Sequence, residues 1–407
     1  TCSGVLFNYI PTTASTGTIT WTRAVQTGIS NPAAGPSGGA ISDVLFNTTS
    51  NPISVVYQVT ITTPDACTNT QNVNVLVNPS PSLTSTTTPS SICTGTPFNY
   101  TPTSASIGTI TWTRALQTGI SNPAVGPLSG SINEVLTNTT NLPIRVVYNL
   151  TIPATANGCT NNQTLSVTVF PTPLLSSSLS PVAVCSEVPF SYSPTFAVSG
   201  TTYSWTRASV IGITPTSSNG NNIAVNETLI NSNASTTNVT YLFNLIANGC
   251  TNQQSVLLPV LPNLTLNSVL SAPAICNGTT FTYTPSSQVS NVSFSWARSA
   301  ITGITPTSNS GTGSINEVLN NTTTAPITVT YAYTLTANGC SKTTTISVVV
   351  KPTPVLNSPL TGIVCNNAPF NYTATSATVG TTFSWTRASV SGISNAIGSG
   401  SGATINE

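Results

Sequence analysis

Histidine is missing from all 407 residues, and charged side chains account for only 4% of them, against about 25% in an ordinary soluble protein. Each shortage removes a class of function. Without histidine there can be no Ser-His-Asp or Cys-His nucleophile, and the commonest metal ligand is gone. With seven acids in the whole chain, no calcium cage of the EF-hand type can be assembled. Asp65 and Glu187 are isolated extras, so the paired carboxylates of glycoside hydrolysis are not expected. Gly-rich pieces such as 398–402 lack the following lysine of a phosphate loop. Eight basic residues against seven acidic ones leave no basic stripe for nucleic acid. No apolar run approaches the roughly 18 residues of a membrane span, and the first nine residues lack the basic head and apolar run of a signal peptide. The expectation is a protein without enzymatic activity, cofactor or bound metal, exported by a signal outside this sequence.

What is present is a repeat. Tryptophans stand at Trp21, Trp112, Trp205, Trp296 and Trp385, at intervals of 91, 93, 91 and 89 residues. Cys2, Cys93, Cys185, Cys276 and Cys365 keep nearly the same period. A second cysteine follows each of the first four after a nearly constant interval, at Cys67, Cys159, Cys250 and Cys340. This spacing is read as one disulfide inside each repeat: Cys2–Cys67, Cys93–Cys159, Cys185–Cys250 and Cys276–Cys340, with the partner of Cys365 lying beyond Glu407. Cystines at this density belong to an oxidising compartment. Pro-rich joints at 78–81, 170–173, 261–262 and 351–354 separate the repeats and favour extended, stiff chain. The chain therefore divides into 1–78, a partial repeat without its first strand; 79–170; 171–261; 262–351; and 352–407, a partial repeat without its C-terminal strands.

Within a repeat the hydrophobic period is two. Val146, Tyr148, Leu150 and Ile152 share a face, as do Leu165, Val167 and Val169. The runs are short, β-branched or aromatic, and bounded by Gly, Pro or Asn. About seven strands in some 91 residues, with a tryptophan about 20 residues after the first cysteine, point to an all-β tandem array of Ig-like sandwiches forming an elongated rod. The five tryptophans are assigned to the cores. In three repeats the second cysteine closes a turn-like tripeptide, Asn157-Gly158-Cys159, Asn248-Gly249-Cys250 and Asn338-Gly339-Cys340, so the disulfide is expected to clip one end of the sandwich.

The few charges are placed regularly. Arg23, Arg114, Arg207, Arg298 and Arg387 each stand two positions after a tryptophan; Asp43, Glu134, Glu227, Glu317 and Glu407 follow their arginines at a matched offset. An arginine two along from a core tryptophan on a strand points inward too and needs a partner. The expected pairs are Arg23–Asp43, Arg114–Glu134, Arg207–Glu227, Arg298–Glu317 and Arg387–Glu407, holding register within the repeat. The alternative role for these acids is a ligand-binding or catalytic carboxylate. Asn-X-Ser/Thr sequences at Asn47, Asn138 and Asn226 are candidate sugar-attachment sites.

The recurring segments Phe98-Asn99-Tyr100, Thr111-Trp112-Thr113-Arg114, Ile132-Asn133-Glu134-Val135-Leu136, Pro143 to Tyr148 and Asn157-Gly158-Cys159 resemble the PKD-like repeats of very large surface proteins in Bacteroidota. The likeness covers the whole chain and is strongest to the repeat region of giant gliding-motility adhesins exported by type IX secretion. It implies a location on the outer surface of a bacterium and a role in adhesion, with the repeats as the shaft. Neighbouring repeats of the same chain are then the main partners, alongside like chains or surface polysaccharide. Three functions are carried forward: a stalk projecting a binding region, a subunit of a self-assembling extracellular filament, and a carbohydrate-binding accessory module. With no histidine, stability should vary little between about pH 5 and pH 8 and respond more to thiols.

Overall fold

The computed structural model describes residues 1–105, 108–153 and 158–407. All regular elements among them are strands, and no helix occurs. Two compact units form: one comprises 1–177, 195–203 and 244–254, the other 178–194, 204–243 and 255–407.

The first unit holds the first two repeats, and the second repeat shows the plan. Its larger sheet runs in the order Val125–Ser129, Thr111–Arg114, Ile144–Pro153, Thr160–Phe170, Ile92–Cys93. All neighbours are antiparallel except the last pair, where Ile92 and Cys93 run parallel to Val169 and Phe170. A second, two-stranded sheet pairs Pro97–Tyr100 with Ile132–Val135. The alternating pattern fixes which face turns inward. Val146, Tyr148, Leu150, Ile152, Leu165, Val167 and Val169 are all buried, and each such aliphatic side chain contributes about 1.5–3 kcal/mol of transfer free energy. Tyr148 sits between the sheets, with Phe98 stacked 5.6 Å away and Trp112 edge-on at 5.7 Å. A one-residue slip would turn this whole set toward water, so register is strongly specified.

The first repeat builds the same sheet from Ala34–Gly38, Thr18–Arg23, Ile53–Thr62 and Thr68–Val77, and the same pair from Leu6–Tyr9 and Ile41–Val44. Cys2 forms a parallel bridge with Asn78, just past the last strand.

In the second unit, the fourth repeat orders Ile275–Cys276, Cys340–Lys351, Ile327–Ala337, Ser293–Arg298 and Asn309–Thr312, with Thr280–Tyr283 paired to Ile315–Val318. The same unit pairs Pro189–Tyr192 with Val225–Thr228 in the third repeat, and Asn371–Thr373 with Thr404–Asn406 in the fifth. Trp21, Trp112, Trp205 and Trp296 are all buried in their cores, whereas Trp385, also assigned to a core, is only half-buried and lines an open cleft with Leu356 and Tyr372.

In the third and fourth repeats the hairpin that ends at the second cysteine turns in two residues. Asn248 and Gly249 have φ of 52° and 79°, and Asn338 and Gly339 have the same values. Both central residues in the left-handed region make the type I′ geometry whose twist suits a hairpin, and Asn-Gly is its preferred pair. The second repeat carries Gly158 at φ 69°, and Asn157 lies outside the described residues.

Candidate functional site

Two constructions recur from repeat to repeat: a buried charge cluster inside the sandwich and a covalent staple at the joint. The cluster begins on the tryptophan strand. Because Trp112 and Arg114 share a face, Arg114 turns into the space between the sheets, where its side chain is 1% exposed. Glu134 reaches it from the smaller sheet. Arg114 Nε donates to Glu134 Oε2 at 2.9 Å and Nη2 donates to Oε1 at 2.8 Å, a two-pronged pair. Nη2 also donates to the Pro123 carbonyl, and the hydroxyl of Tyr148 donates to Glu134 Oε2 at 2.6 Å.

The arrangement repeats with Arg207, Glu227 and Tyr241, and with Arg298, Glu317 and Tyr331. In the first repeat the shorter Asp43 meets Arg23 through Nε alone at 3.0 Å and accepts from Tyr57 at 2.9 Å. Arg387 and Glu407 also pair, at a more exposed position. The structure thus brings together all five arginines and acids singled out by their spacing. The tyrosine is a third member that the charge census did not reveal. Its signal is present nonetheless: Tyr57, Tyr148, Tyr241 and Tyr331 follow their arginines at a nearly constant offset.

Burial by itself would raise the carboxyls of Glu134, Glu227 and Glu317, but the hydrogen bonds from arginine and tyrosine, with the arginine's charge, outweigh it and hold all three low. The same burial, reinforced by the bonded carboxylate, pushes the phenols of Tyr148, Tyr241 and Tyr331 far up. All the oxygens of the acid are thereby occupied or screened, which suits a structural tie better than a reactive carboxylate.

A buried asparagine forms a second internal lock. Asn138 is 7% exposed, and its Nδ2 donates to the carbonyls of Leu142 and Val169 at 2.8 and 2.9 Å. Asn47, Asn231 and Asn321 repeat this pattern. Asn47 and Asn138 head two of the candidate sugar-attachment sequences, but their amide nitrogens are committed inside the fold. Asn226 differs: it is exposed on its strand, with Oδ1 accepting from Ser191.

The joint overturns the expected disulfides. None of Cys2–Cys67, Cys93–Cys159, Cys185–Cys250 or Cys276–Cys340 exists. The bonds are Cys2–Cys159, Cys93–Cys250 and Cys185–Cys340, with Cα separations of 5.7, 5.6 and 5.8 Å. Each joins the first cysteine of one repeat to the second cysteine of the next. The reason is the parallel pairing of the short cysteine strand. Cys93 pairs with Phe170 at the end of the last strand, whereas Cys159 directly precedes Thr160 at its beginning. Eleven residues of strand, about 35 Å, separate the two cysteines of one sandwich. A disulfide tolerates Cα atoms only about 7 Å apart. Spacing along the sequence is blind to this, since a constant period satisfies pairing within and between repeats equally. Cys67, Cys276 and Cys365 are exposed thiols.

Beside Cys185–Cys340 the second unit adds an ionic contact. Lys342 Nζ lies 2.8 Å from Glu187 and donates to Asn263 Oδ1 at 2.9 Å, while Asn263 donates to Glu187. Glu187 is therefore a joint residue, two positions after its cysteine as Lys342 is two after the other.

Among the described residues no group of three or more His, Cys, Asp or Glu is placed to hold a metal ion, and no helix is long and apolar enough to cross a membrane. The sequence profile of the PKD-like domain matches residues 1–81, 87–173, 182–260 and 273–354. A search among curated proteins finds no match. Similar solved structures include the I67–I69 fragment of titin's I-band, at 13% identity over 67% of this chain and 98% of that one, with a TM-score of 0.33. Another is the insect immune protein hemolin, at 11% identity over 87% and 97% with a TM-score of 0.23; a third is the human desmocollin-1 ectodomain, at 12% over 95% and 86% with 0.26.

Replacing Arg114 with Met leaves Glu134 buried without its counter-charge, and denaturant unfolding should show a loss of about 3–5 kcal/mol. An unchanged midpoint would remove the pair from the account of the core. The pH dependence follows from the direction of the shifts. The glutamates' folded pKa values lie below their unfolded ones, so their contribution is complete above the ordinary carboxylate range and is lost as acid titrates through the depressed values. The tyrosines' are raised, so their contribution is complete below about pH 10 and is lost in stronger alkali. Thermal melts from pH 3 to 11 should therefore show a plateau from about pH 5 to 9 with both shoulders falling.

Proposed function

Because this chain belongs to the PKD-like domain family through four of its repeats, we propose that it is the stalk of a secreted or surface-anchored adhesin, projecting a binding region away from a bacterial cell. The observation that carries this reading is the joint. At three successive joints the first cysteine of one repeat is bonded to the hairpin tip of the next, so the linkage between modules is covalent beyond the chain itself. Flexible beads on a string need no such bonds; a shaft that must hold its joints gains from each. In the chain-entropy description, one cross-link closing 157 residues stabilises by about 5 kcal/mol, although overlapping loops do not add.

The remaining features agree with a structural role. The regularly placed charges are absorbed in internal pairs, and the buried tryptophans supply no aromatic platform of the kind that binds sugar rings. Three cystines fit maturation outside the cytoplasm. Within this reading, the likeness to Bacteroidota repeat proteins favours the giant gliding-motility adhesins and the type IX route as the setting.

Small-angle scattering of the oxidised chain tests the proposal. Modules of about 40 Å set end to end give a radius of gyration near 50 Å, against about 22 Å for a compact globule of this length. The stalk requires the larger value together with a monomeric mass. A globule, or a mass that climbs with concentration as a filament subunit's would, contradicts it.

A further inference from the structure

The staples do more than fix neighbours: their connectivity short-circuits the covalent path along the chain. From the second cysteine of one repeat to the first cysteine of the next is only a short segment, at 67–93, 159–185, 250–276 and 340–365. Joined by the observed bonds, these segments form two lanes. One runs Cys2 to Cys159, along the chain to Cys185, across to Cys340 and on to Cys365; the other runs from Cys67 to Cys93, across to Cys250 and on to Cys276. The three free thiols are the loose ends of these lanes.

The lane segments that end at Cys93, Cys185 and Cys276 are already drawn out. The segment from Cys67 begins with the ten-residue strand Thr68–Val77. It then follows the second repeat's last strand: the Pro81 carbonyl accepts from Asn161, Leu83 N–H donates to Gln163, the Thr87 carbonyl accepts from Ser166 N–H, and Ile92–Cys93 pairs with Val169–Phe170. Twelve residues, from 81 to 93, thus advance beside nine of strand, from 161 to 170, leaving slack on the order of 10 Å. In the second unit Leu179 and Val184 are likewise bonded along the strand at Leu257 and Pro259, and Leu270 and Ala272 at Ser347.

We infer that the array is a strain-limited tether: tension applied between the two ends of the chain passes along the covalent lane that runs from Cys2 through Cys159 and Cys185 to Cys340 and is nearly taut in the folded state, so the modules between the staples cannot be pulled out to their full length. The physiological sense of this rests on the stalk reading; the mechanical property does not. Between Cys2 and Cys185, all the intervening chain is bypassed by one cystine and the short segment from Cys159 to Cys185. Unfolding of the modules in between therefore yields almost no extension. A module closed by a cystine of its own would still have held its neighbours only through the chain.

Single-molecule pulling of the whole chain, tethered at its two ends, reads the covalent path directly. In the oxidised chain that path has one step to Cys2, 26 from Cys159 to Cys185 and 67 from Cys340 to Glu407, 94 in all. The fully extended contour is then about 310–340 Å. Disulfides inside each repeat would give 146 steps and about 480–530 Å, and no disulfides 406 steps and about 1,340–1,460 Å. A contour of about 310–340 Å that lengthens to the last range under a phosphine reductant supports the tether; either longer value without reductant overturns it. Cys185→Ser supplies a second reading that does not depend on native folding under load. With that staple gone the shortest path runs through Cys159, back to Cys93 and across to Cys250, which gives 224 steps or about 740–810 Å. A variant contour unchanged from the parent's overturns the proposed lanes. A chain that scatters as a rod yet extends fully keeps the stalk and loses the tether; one that stops at the short contour yet associates laterally keeps the tether and loses the stalk.

Discussion

The parallel pairing of a two-residue strand with the end of the last strand is the constraint from which the rest follows. Ile92–Cys93 beside Val169–Phe170, and Ile275–Cys276 beside Val350–Lys351, carry the first cysteine to one end of its sandwich. The hairpin tip carries the second cysteine to the other end. Once a module has a thiol at each end it has no internal partner to offer, and the nearest acceptor is the next module. A pairing of two residues therefore decides whether the protein is a row of separately closed domains or a covalently continuous series.

The interior solves a different problem. A chain with 4% charge cannot rely on surface ion pairs, and it spends most of its few charges inside. Arginine on the larger sheet, acid on the smaller one and tyrosine on the adjacent strand hold the two sheets in one register. Desolvation offsets much of the Coulomb attraction, so the cluster serves alignment more than net stability. The aromatic packing of Trp112 and Phe98 on Tyr148 provides the apolar surroundings that make the alignment strict, because a misregistered sheet would bury a charge with no partner.

Much of this was legible in the amino acids. Alternation at Val146, Tyr148, Leu150 and Ile152 gave the inward face, Asn-Gly before Cys250 and Cys340 gave the hairpin tips, and the fixed offset of arginine from tryptophan gave the pairs. These are local or strictly periodic signals. The disulfide pattern was not legible, since a near-constant period fits partners within a repeat and across a joint alike, and only the strand order tells them apart. Tyr148 hid among core aromatics because a tyrosine on an apolar face reads as packing. Asn138 hid in a sequence motif that suggests an exposed sugar site, yet its amide is spent on the carbonyls of Leu142 and Val169. Both were recoverable only from their recurrence.

The joint is therefore where the account stands or falls, and the bonds there can be read without any unfolding. Digestion of the alkylated, unreduced chain, followed by mass spectrometry of the linked peptides, identifies each cysteine's partner. Peptides joining Cys2 to Cys159, Cys93 to Cys250 and Cys185 to Cys340, with Cys67, Cys276 and Cys365 not joined to any of these six, are the expected result. Peptides joining Cys93 to Cys159 or Cys185 to Cys250 would contradict it.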